Sequence, residues 1–175
     1  VKRIVILGSG GAGKSTLSRQ LGHLLNLPVI HLDAILWQPS WVLVDKPTQQ
    51  SLQQQLISQS EWIIDVNYGS TLPIRLAASD TVIFLDYSRW VCVWRAVKRI
   101  VSYYGRVRPD MAAGCPEHWD WLFIRWILLY AETHRPKVLA VINQYRAERQ
   151  VFILKKPSDA KHFLQQLTSN HTHPA

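Results

Sequence analysis

Short solid apolar runs alternate along this chain with longer stretches in which apolar residues recur at helical spacing. Ile4-Val5-Ile6-Leu7, Leu27-Pro28-Val29-Ile30-His31-Leu32, Glu61-Trp62-Ile63-Ile64, Thr81-Val82-Ile83-Phe84-Leu85 and Val151-Phe152-Ile153-Leu154 read as strands. Runs this short and this apolar suit strands covered on both faces, as in a parallel sheet. Between them lie helical patterns. One begins near Lys14 and runs through Leu17, Leu21, Leu24 and Leu25. A glutamine-rich one spans Thr48 to Ser60, with Leu52, Leu56 and Ile57 on one face and a polar face expected to be solvated. A short helix contains Arg75. From Arg89 to Tyr104, Trp90, Val93, Trp94, Val97, Val101 and Tyr104 share one side, and Arg95, Arg99 and Ser102 share another. Further helices carry Trp119, Leu122, Phe123, Trp126, Ile127 and Tyr130, then Arg135 to Tyr145, then the residues after Lys155-Lys156-Pro157-Ser158. The stretch from Ala34 to Pro47 has no period and reads as an irregular excursion. The order β-α-β-α-β-α-β-α-α-α-β-α predicts a five-stranded parallel sheet with helices on both faces, a three-layer α/β/α fold.

Chemistry enters at the first strand-to-helix turn. Gly8-Ser9-Gly10-Gly11-Ala12-Gly13-Lys14-Ser15-Thr16 fits G-x-x-x-x-G-K-[ST], the phosphate-binding P-loop. Glycines let the backbone turn so that several N–H groups converge on one anion, and the following helix adds its open N–H groups and dipole. Lys14 is placed to reach the β- and γ-phosphates, and the Ser15 hydroxyl to ligand Mg²⁺. Three strands end in carboxylates, where ligands of open α/β sheets bind. Asp33 is either an acceptor contact, with a general base role, or a helix cap. Asp65, after four largely apolar residues, has the pattern of a carboxylate that holds Mg²⁺ beside the P-loop serine. Asp86 has the same pattern, and spacing does not choose between the two. His31, inside its strand, reads as structural. Trp37 and Trp41 either line an acceptor pocket or cover the core.

Six basic residues and no acidic one lie between Asp86 and Asp110: Arg89, Arg95, Lys98, Arg99, Arg106 and Arg108. Arg95 and Arg99, four apart, point the same way and suit phosphate oxygens, with an anion between them relieving their repulsion. Gly105 to Pro116 is loop-like and basic, a lid that could close over phosphates. The aromatic helix that follows is more in keeping with core than with base stacking. His171 and His173 lie in a polar tail that gives no metal site.

Charge and composition narrow the classes. Residues 1–88 are neutral overall, and residues 89–175 carry the whole net charge of +8, which points to an anionic partner. No apolar run reaches the roughly 18 residues of a membrane span. Cys92 and Cys115 form no disulfide framework, so a reducing, cytoplasmic setting fits, and no secretory leader is visible. At 175 residues the chain is expected to be a single domain over 1–175, with a lid or insert at about 95–135.

With these residues in place, the chain resembles the small P-loop kinases related to adenylate kinase. More closely, it is similar over nearly its whole length to the family of DNA topology modulation proteins. The resemblance rests on residues 8–16, Val29-Ile30-His31-Leu32-Asp33-Ala34, Trp62-Ile63-Ile64-Asp65, Phe84-Leu85-Asp86-Tyr87-Ser88-Arg89-Trp90 and, most specifically, Arg106-Val107-Arg108-Pro109-Asp110-Met111-Ala112-Ala113-Gly114-Cys115-Pro116-Glu117. It implies a P-loop NTPase of the nucleotide-kinase kind that uses ATP and Mg²⁺ and phosphorylates a small molecule. Gly8, Ser9, Gly10, Gly11, Ala12, Gly13, Lys14, Ser15, Thr16 and Arg95 would hold the nucleotide, and Ser15 and Asp65 the metal. Lys14, Asp33, Arg99 and Arg108 would act in catalysis. Arg106, Arg125 and Arg135 are further lid candidates, and Lys155-Lys156-Pro157 would border the adenine. Two departures weigh against a standard nucleoside monophosphate as acceptor. Val66 stands where such kinases carry glycine, and Gly69-Ser70-Thr71 stands where they carry an arginine, for which Arg75 is the substitute on offer. The rival reading, from the basic half and the family's name, is an ATP-binding regulator that binds DNA; no Asn-Lys-x-Asp segment supports a GTP switch.

Overall fold

The computed structural model describes residues 1–65 and 68–172. Five parallel strands form the central sheet: β1 (Arg3–Gly8), β2 (Val29–His31), β5 (Trp62–Asp65), β6 (Thr81–Leu85) and β7 (Gln150–Leu154), in the order β2-β5-β1-β6-β7. The apolar runs alternate sides residue by residue, as strand geometry requires. Ile4, Ile6, Ile63, Ile83 and Leu85 face one layer, with Leu17 and Leu21 of α1 (Lys14–Leu25), Cys92, Ala96 and Ile100 of α5 (Arg89–Tyr103), Ile124 and Ile127 of α6 (Trp121–Thr133), and the inner side of α8 (Pro157–Thr172). Val5, Leu7, Ile64, Val82 and Phe84 face the other. There they meet α2 (Leu32–Leu36), α3 (Lys46–Ile57), α4 (Leu72–Ala78) and α7 (Arg135–Tyr145). No helix of the described residues is long and apolar enough to cross a membrane.

This strand order sets out the site. The P-loop leaves the central strand β1. The ends of β2 and β5 lie on one side of it and those of β6 and β7 on the other, which separates two binding regions.

Three sequence expectations change. The excursion after Asp33 contains structure: α2, then an antiparallel ribbon of β3 (Trp37–Gln38) and β4 (Val42–Leu43) around a 3₁₀ turn. The polar face of α3 is not simply solvated, because Gln49 and Gln53 are buried. On α5 the aromatic stripe is the outer face: Trp90 is 71% and Trp94 64% exposed, and the small residues Cys92 and Ala96 face inward. Small residues are required there because the P-loop backbone lies against them. The turn residue Asn67, Val66 and His173 lie outside the described residues.

Asp80 joins the two central strands at their starts, accepting hydrogen bonds from the backbone N–H groups of Lys2 (2.8 Å) and Arg3 (2.9 Å). Burial acts to raise its carboxyl, but these N–H donors outweigh it and hold the group below the ordinary Asp value. A carboxyl depressed in the folded state stabilises the fold above its unfolded value of roughly 3.9, and this is lost as pH falls through the lower folded value. Asp80→Asn should therefore lower stability at neutral pH and flatten the acid side of the stability curve, measured as urea midpoints between about pH 3 and pH 7.

Candidate active site

The loop between β1 and α1 is shaped by positive φ. Gly11 (φ 73°) and Gly13 (φ 96°) adopt it, and a Cβ on Gly11 would stand 2.1 Å from the carbonyl oxygen of Cys92. Only glycine meets both demands. Lys14 folds back over the loop, its Nζ donating to the carbonyls of Gly8 (2.9 Å) and Ser9 (3.0 Å). Burial pulls its pKa down, against the upward pull of Asp33 and Asp65. No acidic residue occupies the first turn of α1, so nothing on that turn competes with an anion for its N–H groups.

The strand-end carboxylates separate by partner. Asp65 is 4% exposed and faces the cavity beside the P-loop; His31 Nδ1 lies 2.9 Å from its Oδ1, and Ser18 Oγ donates toward its Oδ2 at 3.1 Å. His31 is thus satisfied, as a structural histidine. Burial would lower its imidazole, but the hydrogen bond and charge of Asp65 raise it. Asp86 is instead clamped by Arg135, whose Nε and Nη2 donate to its two oxygens at 2.6 and 2.7 Å. Asp33 lies in the first turn of α2 and lines the cavity, accepting a hydrogen bond from the Tyr68 hydroxyl at 3.1 Å. Burial lifts its carboxyl above the ordinary Asp value, against the opposing pull of Lys14.

The basic segment is less free than its charge suggests. Arg95 donates to the carbonyl of Ala12 (3.2 Å) and lies over the Tyr87 ring. Arg99 donates through Nε and Nη2 to Glu117 Oε1. Arg108 Nε lies 2.6 Å from the other oxygen of Glu117, and its Nη1 donates to Asp110. Both arginines of the helix line the cavity, and Arg99 is paired with Glu117. Arg106 and Arg125 are exposed and do not line it. Arg75 is turned away as well: it is fully buried, donating to Gln53 Oε1, Thr71 Oγ1 and the carbonyl of Tyr68. It does not stand in for an acceptor-binding arginine.

Residues 104–120 link α5 to α6 and dock on the β3–β4 excursion. Ser40 N–H donates to the Gly114 carbonyl, Trp41 Nε1 to that of Pro116, and Cys115 Sγ to that of Gln38. Met111, Ala112 and Cys115 are buried there against Trp37 and Trp41. Those tryptophans therefore do both things open to them: they pack on this small cluster and they line the cavity. Sequence reasoning missed Tyr68, Asp110 and Glu117 as site residues. Asp110 had a signal, as the carboxylate that closes the long acid-free basic stretch, and Glu117 is the next acidic residue after it.

Together these walls enclose about 1450 Å³, more than the roughly 300–1,000 Å³ of a single small-ligand pocket. Tyr87, Arg95, Pro157, Ala160 and Leu164 line one end, and Asp33, Trp37, Trp41, Tyr68 and His118 the other, with the P-loop between.

No family model matches the chain. It is 29% identical over 128 residues, 65% of its length, to the shikimate kinase of Rhodococcus jostii strain RHA1, of which this match covers 73%. Among solved structures it is similar to shikimate kinase from Acinetobacter baumannii in complex with shikimate (TM-score 0.60, 16% identity, 98% of this chain and 93% of that one). It is also similar to a gluconokinase from Sinorhizobium meliloti 1021 (TM-score 0.50, 17% identity, 98% and 95%) and to shikimate kinase from Bacteroides thetaiotaomicron (TM-score 0.51, 14% identity, 98% and 99%). The fold is that of the P-loop kinases. Fold, P-loop and relative together make the chain a small-molecule kinase, a P-loop phosphotransferase.

Proposed function

We propose that the chain moves the γ-phosphoryl group of ATP to a hydroxyl of a small molecule held at the Asp33 end of the cavity. The observation that carries this reading is that Lys14 and Asp33 line the same cavity within electrostatic reach of each other, a phosphate-binding cation beside a carboxylate. The P-loop amides and Lys14 hold the phosphates, Arg95 lies beside the loop, and Tyr87 with Pro157 borders the base. Glu117 fixes Arg99 and Arg108 on the wall, where their N–H groups face the transferring group as oriented donors. The acceptor oxygen forms its bond to the γ-phosphorus as the bond to the β–γ bridging oxygen breaks. ADP keeps that electron pair, and Asp33 takes the hydroxyl proton.

Mg²⁺ fits the donors present. Ser15 and Asp65 supply hard oxygen atoms on the cavity wall, and Asp86 is spent on Arg135. Among the described residues no cluster of three or more His, Cys, Asp or Glu could hold a metal by itself, as suits an ion that keeps waters and phosphate oxygens as ligands. When bound, it would neutralise β- and γ-phosphate charge. We place the protein in the cytoplasm, and the resemblance to DNA topology modulation proteins rests most specifically on residues 106–117, the segment we read as a lid. A DNA-binding reading loses support because Arg89, Arg99, Arg108 and Arg135 are each paired with a carboxylate.

The test is a panel of hydroxyl acceptors, shikimate and gluconate among them, with γ-labelled ATP. Lys14→Ala should lower kcat by about 10²–10³-fold on any acceptor that reacts. Equal labelling by the native and substituted chains would defeat the reading.

A further inference from the structure

Resting on this kinase reading, we infer that the acceptor carries no acid group: it is an uncharged or amine-bearing hydroxylated ring, with an apolar face that lies against Trp37 and Trp41. The charge inventory around Asp33 points this way. An acid group taken into a partly desolvated cavity needs a cation to meet it, because a buried charge without a partner is strongly disfavoured. On this side of the P-loop the lining cations other than the exposed Arg19 are already matched. Arg99 is held by Glu117, Arg108 by Glu117 and Asp110, and His31 by Asp65. Arg75 is sealed beneath the loop, bonded to neutral groups. Lys14 and Arg95 are engaged with P-loop carbonyls, Lys14 with those of Gly8 and Ser9 and Arg95, from α5, with that of Ala12. The remaining lining cations, Arg19 and Lys161, are exposed, and Lys161 lies beside Pro157 and Ala160 at the nucleotide end.

What remains around the acceptor is carboxylate and aromatic. Asp110 and Glu117 line the cavity as the charge-balanced partners of Arg99 and Arg108, which leaves Asp33, bonded to the neutral Tyr68 hydroxyl, to repel a second anion. The Trp37 and Trp41 rings meet edge to face with centroids 5.6 Å apart, and Trp41 meets His118 in the same way at 5.3 Å. The Trp41 indole N–H is fixed on the Pro116 carbonyl, so this wall is set before any ligand arrives. An aromatic wall beside carboxylates suits the C–H face of a ring, or an ammonium, and gives nothing to a carboxylate or phosphate.

The experiment uses matched compounds that differ in one acid group: shikimate and its methyl ester, a nucleoside and its 5′-monophosphate, glucuronate against glucose and glucosamine. Two quantities are read with the full chain and Mg²⁺: transfer from γ-labelled ATP, and binding by tryptophan fluorescence with a non-hydrolysable ATP analogue. The uncharged or amine-bearing member should lead its acid partner by about tenfold or more in kcat/KM, or in affinity where no transfer occurs. Glu117→Gln, which releases Arg99 and Arg108, should shift that ratio toward the acid by about tenfold. Equal use or preference of the acid members overturns the inference, and loss of that preference in Arg19→Ala would name Arg19 as its cause. Failure of every uncharged and amine-bearing member to bind at about 10 mM overturns it too. The kinase reading fails separately, if labelling is unchanged in Lys14→Ala, whichever class of ligand binds.

Discussion

Asp33→Asn is expected to lower kcat by about 10²–10⁴-fold, the range for removing a positioned general base, while ATP binding is retained. The carboxyl sits beyond the end of β2 in the first turn of α2, accepts the Tyr68 hydroxyl, and lines the cavity with Lys14. Burial raises it above the usual Asp value. A base works deprotonated, so kcat/KM of the native chain should fall as pH drops through a value above the ordinary Asp range, and this acid limb should vanish in Asp33→Asn. Stability moves the other way. A folded-state carboxyl raised above its unfolded value contributes stability that is present below the unfolded pKa and lost as pH rises through the folded one. Asn, which has no charge to bury, should leave the fold at least as stable at neutral pH. A pH–rate series together with urea unfolding of both chains checks the pair of signs. A loss of activity with a matching loss of stability would mean that Asp33 only holds the loop.

What could be read from the sequence divides along physical lines. The strands of the central sheet were legible because both-face burial leaves solid apolar runs, and the P-loop because its glycines are demanded by backbone geometry that few other turns share. Local chemistry of this kind is written in consecutive residues. The inner face of α5 was not legible. Trp90, Trp94 and Val101 make the stronger helical stripe, but the close approach of Gly11 to the Cys92 carbonyl selects small residues for the buried side. Nor could spacing reveal that Asp86 is bound by Arg135, 49 positions away, or that Glu117 neutralises Arg99, 18 away. The basic stretch looked free because its partners lie elsewhere in the chain. Asp65 and Asp86 end equivalent strands with equivalent patterns, and only the fold shows that one faces the P-loop cavity and the other a guanidinium.

The glutamine-rich helix gives the clearest case of a partner hidden by distance in sequence. Arg75→Ala should cost about 2–5 kcal/mol, the range for truncating a large buried side chain, with the loss of its hydrogen bonds to neutral partners included. The guanidinium has no access to solvent, and burial lowers its pKa to about 9. It donates to Gln53 Oε1 from α3, to Thr71 Oγ1, and to the Tyr68 carbonyl. Alanine would leave Gln53 Oε1 without its donor and a void between α3 and α4, while the Tyr68 carbonyl would keep only the longer bond from Thr71 Oγ1 (3.4 Å). Pairing the change with Gln53 separates these causes. Arg75→Met/Gln53→Leu refills the volume and removes the main acceptor with the donor, so it should recover most of the lost stability. Function should not recover with it. Arg75 holds the Tyr68 backbone, and Tyr68 holds the Asp33 carboxyl, so the double variant should bind acceptor more weakly and show a raised KM while ATP affinity stays unchanged. Urea midpoints measure the first effect and steady-state kinetics the second. Recovery of both together would mean that Arg75 serves the fold alone, with no part in aiming Tyr68 at the acceptor.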